Sequence, residues 1–307
     1  MLPLRLLPLG GCPITIPVNR LARRKVVNTI FPELGFKNLS HAITSGHAVQ
    51  LVRLARGDIS IPPVVRDICY TKPPGEVPGN AKEIIANAEF VLFEMSTPIE
   101  ILYQGFIINQ NRLRDYLNEK FAAQGADALK QATALVLRLQ KNHPAGLEEA
   151  RQNLRHILSA SGQKDELLDD IVGSVGQRHI GPEEMIEGVT QLRELLPQPI
   201  GLVLHNFQYM PDGRPIVWPA GFKDHVIQVA ERLKLPMYDP LTLVERVGTQ
   251  VAMAPDLRHY NKDFYEVVAD EYIEFASSIL GRKLDNGRAK LATALAPASD
   301  DPDQLAH

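Results

Sequence analysis

Three short, nearly unbroken apolar runs punctuate the chain: Leu4–Leu9, Glu89–Met95 and Ile200–His205. Each is too short for a helix and is followed by Gly, Ser, Thr or Asn, so each predicts a strand. Apolar runs without polar alternation suit strands covered on both faces, as in a parallel sheet. Between them the pattern changes to a helical period. Ala48, Leu51, Val52 and Ala55 share one face of a helix predicted over His47–Arg56. Further helices are predicted over Ala220–Leu233, which leads into the apolar Leu235–Tyr238, and over Asp263–Leu280. In the last, Phe264, Val267, Val268, Ile273, Phe275 and Ala276 turn inward.

Residues 105–196 carry almost no strand signal. Helical patterns fill them at Leu113–Phe121, Ala126–Gln140, Gly146–Ser159, Glu166–Val175 and Pro182–Leu196. Pro182 followed by Glu183 and Glu184 makes a good helix start. The expected architecture is therefore α/β in three layers, a parallel sheet between helices. It is assembled discontinuously from 1–104 and 197–281, with an all-helical insertion at 105–196. The insertion reads as a lid, as a surface for homodimerisation, or as a subdomain packed on itself. The small and charged residues of 282–307 predict a mostly disordered tail.

Composition narrows the function classes. The 33 Lys+Arg against 36 Asp+Glu give a net charge of −3, which argues against nucleic acid as partner. With 45% hydrophobic and 22% charged residues the chain is an ordinary globular one, not a disordered one. The two cysteines, Cys12 and Cys69, exclude a disulfide framework and fit a reducing, cytoplasmic setting. Leu9-Gly10-Gly11-Cys12 looks superficially like a lipoprotein cleavage box, but the preceding stretch is short and broken by Pro3 and Pro8. No run approaches the roughly 20 apolar residues of a membrane span.

The chemistry concentrates at predicted strand ends and in Ala254–Leu280. Asp256-Leu-Arg-His259 places a carboxylate three residues before a histidine, where it can fix the imidazole tautomer and leave the other nitrogen as general base. His41, His47 and His205 fall near strand ends and invite a metal reading. However, no two of them share a helix face at i, i+4, and no metal is expected. Arg20, Arg23, Arg24 and Lys25 read as a solvated face, with an anionic acyl carrier as the alternative. Glu94, near the end of a buried strand, must meet a basic partner or lie at the cleft. Cys69, within Ile68-Cys69-Tyr70, reads as packing. Phosphate-binding, dinucleotide-binding and Gly-x-Ser-x-Gly motifs are absent.

Asp256-Leu-Arg-His259, followed by Tyr260-Asn261-Lys262-Asp263-Phe264-Tyr265 and a terminal helix, resembles the last conserved block of the SGNH (GDSL-type) esterase and acyltransferase superfamily. The resemblance implies a flavodoxin-like parallel sheet with Asp256 and His259 as catalytic residues. It puts Cys12, after Gly10-Gly11, where the family has its nucleophilic serine. It also makes Gly46, beside Ser45, the second-block oxyanion donor. The third block lacks its asparagine, since the strand ends Glu94-Met95-Ser96-Thr97-Pro98; the amides of Cys12 and Gly46 would supply two oxyanion donors and Ser96, Thr97 or Asn206 a third, with Gly11 beside them in the oxyanion or substrate-binding set. Cys for Ser is chemically workable, because thiolate is a strong nucleophile and a neighbouring histidine lowers its pKa. A catalytic Cys12 is then expected to titrate below a free thiol. The function implied is acyl transfer or ester or thioester hydrolysis through acyl-Cys12, in the manner of an O-acyltransferase. No cofactor is required; acyl-CoA or another acyl thioester is the expected donor, and a small molecule or carbohydrate the substrate. The alternative is a non-catalytic SGNH-like binding or scaffolding protein.

Overall fold

The structure, a computed structural model, describes residues 2–36, 42–70, 76–140, 146–162, 165–205, 221–257 and 259–285. β1 (Leu4–Leu9) turns through Gly10-Gly11 into α1 (Cys12–Arg23), and β2 (Val27–Thr29) follows. α2 (Ser45–Ala55), α3 (Pro63–Cys69) and α4 (Ala81–Ala86) precede β3 (Phe90–Met95). Next come β4 (Ile99–Tyr103), β5 (Phe106–Ile108), α5 (Gln110–Phe121), α6 (Ala126–Gln140), α7 (Leu147–Ala160) and α8 (Glu166–Ser174). β6 (Gly176–His179), α9 (Pro182–Leu195), β7 (Ile200–Leu204) and α10 (Phe222–Leu233) lead to β8 (Met237–Tyr238). α11 (Leu241–Val247), α12 (Thr249–Ala252) and α13 (Phe264–Leu280) end the described chain.

Five strands form one parallel sheet in the order β2-β1-β3-β7-β8. β3 and β7 are buried along their whole length, as unbroken apolar runs require. From β1 the chain steps one way to β2; it then returns past β1 to β3 and continues to β7 and β8. Right-handed crossovers place the connecting helices of the two directions on opposite faces. Accordingly α1 packs with α13, while α9 packs with both α2 and α10. The α2–α9 crossing is close: a Cβ on Gly188 would lie 2.5 Å from Ser45 Oγ. The direction of winding reverses between β1 and β3, and in such sheets ligands bind outside the carboxyl ends of the strands at that reversal.

The insertion is not all-helical. β4 pairs antiparallel with β5 and with β6 in a second, three-stranded sheet. Its hairpin was legible: Gln104-Gly105 is a two-residue loop between apolar runs, and both residues have positive φ (49° and 79°), as a type I′ turn demands. β6 (Gly-Gln-Arg-His) carries no apolar signal and is held by register, with Arg178 opposite Glu100. The Arg178 guanidinium donates to the buried Glu100 carboxylate from Nε at 2.7 Å, and Thr44 Oγ1 donates to its other oxygen at 2.8 Å.

α1 was hidden in the sequence by Pro13 and Pro17. Pro13 occupies the first turn, where no amide is needed. Pro17 lies inside the helix and has no N–H to offer the carbonyl of Pro13 four residues back. Tyr272 of α13 fills that vacancy: its hydroxyl donates to Pro13 O at 3.1 Å, in a buried setting. Two further links clip α1 to α13, Arg20 to Glu266 at 2.6 Å and Arg24 to Asp270 at 2.7 Å. Tyr272→Phe should therefore leave a buried carbonyl unpaired and cost about 1–3 kcal/mol in chemical denaturation; an unchanged midpoint would mean that the carbonyl finds another donor.

Candidate active site

Gly10-Gly11-Cys12 crosses from β1 into α1 at the winding reversal. Glycine is needed at position 10, where a Cβ would fall 2.8 Å from Ile14 Cγ1 and 2.9 Å from Glu94 Cβ. Gly11 N donates to Glu94 Oε2 at 2.9 Å. Ser96, just beyond β3, has its hydroxyl 3.4 Å from the point a Gly11 Cβ would occupy. Ser96 Oγ is buried with no hydrogen-bond partner among the described residues. Cys12 is the first residue of α1 and is partly buried. Burial first, and the Glu94 charge second, push its thiol up, and a backbone hydrogen bond offsets only part of this. The expectation of a depressed thiol is thus corrected: the helix N-terminus favours thiolate, but desolvation and a buried carboxylate beneath the turn outweigh it.

Glu94 is 0% exposed, and its basic partner is His205, at the end of β7. Glu94 Oε1 and His205 Nδ1 are 2.5 Å apart. One carboxylate therefore joins the Gly10-Gly11-Cys12 turn to a histidine two strands away. The pairing was not foreseen. Register contained the signal: Glu94 lies opposite Val203, so His205 follows directly at the same sheet edge.

Asp256 and His259 sit on a tight loop ahead of α13. A bridge between Met253 and Tyr260 closes it, with His259 O accepting from Ala254 N at 2.8 Å. Asp256 accepts from the His259 amide on Oδ1 (3.1 Å) and meets His259 Nδ1 with Oδ2 (2.6 Å). The two side chains are about half exposed. Buried Tyr260 anchors the loop by edge-on contacts with Phe264 and Tyr265. Tyr265, on the first turn of α13, was also missed. Burial, then the charge of Cys12 and more weakly that of Asp256, push its phenol up to about 12. Its ring packs on Tyr260 and lies 5.9 Å from the Arg20 guanidinium of α1, so the α1–α13 clip brings this loop and α1 together.

Ser45 is buried against Gly188, and the face of Gly46 that a Cβ would occupy meets Glu100 and Ile107. Both line a cavity of about 560 Å³ between α2, β4, β5 and α9, together with Arg178 and Glu187. Thr97 Oγ1 accepts from Ile99 N at 3.1 Å and shapes the turn into β4. Asn206, His41 and residues 286–307 of the expected tail lie outside the described residues. His47 is buried and stacks on Tyr70. Cys69 is buried, which pushes its thiol up to about 12, as a packing residue requires. Arg20 and Arg24 are engaged by acids of α13, which removes half of the basic cluster from anion binding.

No helix among the described residues is long and apolar enough to cross a membrane. The chain matches none of the curated proteins and none of the solved structures with which it was compared. Residues 4–275, from the first strand to the last turns of α13, match the model of one domain family. That span takes in both the Cys12 turn and the Asp256–His259 loop, and the chain belongs to the TviD N-terminal domain family.

Proposed function

We propose that this protein transfers acyl groups through a covalent acyl-Cys12 intermediate, on a scaffold of the SGNH type. The family supports acyltransferase-type chemistry in polysaccharide modification. The observation that carries the residue assignment is the docking of α13 on α1: Tyr272 donates to Pro13 O, beside Cys12, at 3.1 Å, and the ring of Tyr265, packed on Tyr260 of the Asp256–His259 loop, lies 5.9 Å from the Arg20 guanidinium of α1. It links the nucleophile turn to the carboxylate–histidine pair across the two ends of the fold.

In this reading Asp256 holds His259 by Nδ1, which leaves Nε2 to act as base. Cys12 rests as a thiol, since its surroundings push it up. His259 takes its proton as sulfur attacks the donor carbonyl, and returns a proton to the departing thiolate of an acyl thioester. Thiolate and thioester are well matched as attacking and leaving groups. The Cys12 amide and Ser96 Oγ are the donors proposed for the developing oxyanion, the latter because it is buried without a partner beside Gly11. Acceptor and donor are proposed as a hydroxyl-bearing carbohydrate and acyl-CoA.

The test is acid quench after mixing with acetyl-CoA or p-nitrophenyl acetate, with peptide mapping of the acetyl group. Acetyl-Cys12 is expected, and His259→Gln should slow its formation by about 10²–10⁴-fold. Equal rates in the variant would overturn the role of His259. Absence of any adduct on Cys12 would favour a non-catalytic binding protein, the reading that the raised thiol and the missing third-block asparagine support.

A further inference from the structure

Two carboxylate–histidine pairs occur among the described residues, and the reading above uses only one. Asp256–His259 is half exposed, on a loop. Glu94–His205 is different: its carboxylate is fully buried in the sheet, and its ring is 23% exposed at the carboxyl edge of β7. Glu94 is bonded to the turn itself, through Gly11 N at 2.9 Å. His205 is therefore held in register with Cys12 through one rigid side chain. A fully buried carboxylate costs stability unless its bonds are worth it, and a role in turn shape alone needs only the Gly11 bond.

Resting on the acyl-Cys12 reading, we propose that Glu94 and His205 form a second acid–base pair, which activates a hydroxyl acceptor in the second half of the reaction. An ionised carboxylate only accepts hydrogen bonds. With Glu94 Oε2 taken by Gly11 N–H, Oε1 receives the His205 Nδ1–H, which makes Nε2 the basic nitrogen of the ring. The acceptor O–H proton passes to Nε2 as its oxygen attacks the thioester carbonyl of acyl-Cys12. The new C–O bond forms, the C–S bond breaks, and the proton passes from Nε2 to the departing sulfur. Ester and free thiol result, with nothing left over. Such a base serves an alcohol, whose proton must be removed during attack. A thiol acceptor arrives partly ionised and has little use for it.

That asymmetry supplies the test. Acetyl-Cys12 is prepared with p-nitrophenyl acetate in wild type and in His205→Gln, and its decay is followed with methanol or with cysteamine as acceptor. The variant should still form acetyl-Cys12, so that the decay of the intermediate can be read by itself. Its transfer to methanol should fall by about 10²–10⁴-fold, while transfer to cysteamine stays within a few-fold. Glu94→Gln, which keeps the shape but weakens the hold on the ring, should show the same alcohol-selective loss to a lesser degree and stands in if His205→Gln does not fold. Wild-type decay with both acceptors, or equal loss with both, would overturn the assignment. A wild type that never forms acetyl-Cys12 would instead overturn the underlying reading, and this one with it.

Discussion

Cys12→Ala is expected to remove all acyl-enzyme and to lower acyl transfer by roughly 10⁴–10⁶-fold, because a covalent route has no substitute nucleophile. The substitution asks little of the fold. Cys12 is only partly buried and opens a helix, where alanine is well accommodated. Circular dichroism and the denaturation midpoint should therefore match wild type, so that lost activity reports lost chemistry. Cys69→Ala is the internal control. That thiol is buried and pushed up to about 12, so its removal should leave acyl-Cys12 formation intact. If Cys12→Ala retained wild-type turnover, the covalent mechanism would be finished.

Glu94→Ala should have the largest effect on stability, with a second effect on the thiol that runs the other way. The carboxylate satisfies a buried amide and faces a histidine. Removing it should cost about 3–5 kcal/mol, as for other broken buried pairs, read as a lower denaturation midpoint. Its negative charge is also the second cause holding the Cys12 thiol up. Without it the thiol should titrate lower, yet still above an ordinary thiol, since burial remains the larger cause. Iodoacetamide labelling of Cys12 at a fixed pH just below the wild-type transition should accordingly be faster in the variant. Glu94→Gln separates the two effects by removing the charge while keeping the shape. A thiol that moved upward in either variant would contradict the electrostatic account.

Apolar continuity made β1, β3 and β7 legible almost to the residue, because a strand buried on both faces leaves no room for polar alternation. Helical periodicity placed α6 at its observed limits and α9 and α13 within a residue. α1 was not legible, since Pro17 reads as a breaker unless Tyr272, far along the chain, is known to supply the missing donor. β6 was invisible because its pairing depends on a buried charge, Glu100, rather than on its own hydrophobicity. Among the residues proposed for the site, the Asp256–His259 bond was legible because it is local, three residues apart. The Glu94–His205 bond spans 111 residues and needed strand register to be seen.

The clip between α1 and α13 has a temporal side. Its contacts join residues 246 and 259 positions apart, among the longest closures in the described fold. Such long-range contacts form late, after the entropy of a large loop has been overcome. During synthesis the cysteine turn emerges well before the Asp256–His259 loop. A nascent chain that reaches only residue 200 thus holds the proposed nucleophile but lacks the base proposed for it. Acylation of Cys12 would then double as a clock for this closure, rising only when α13 docks on α1.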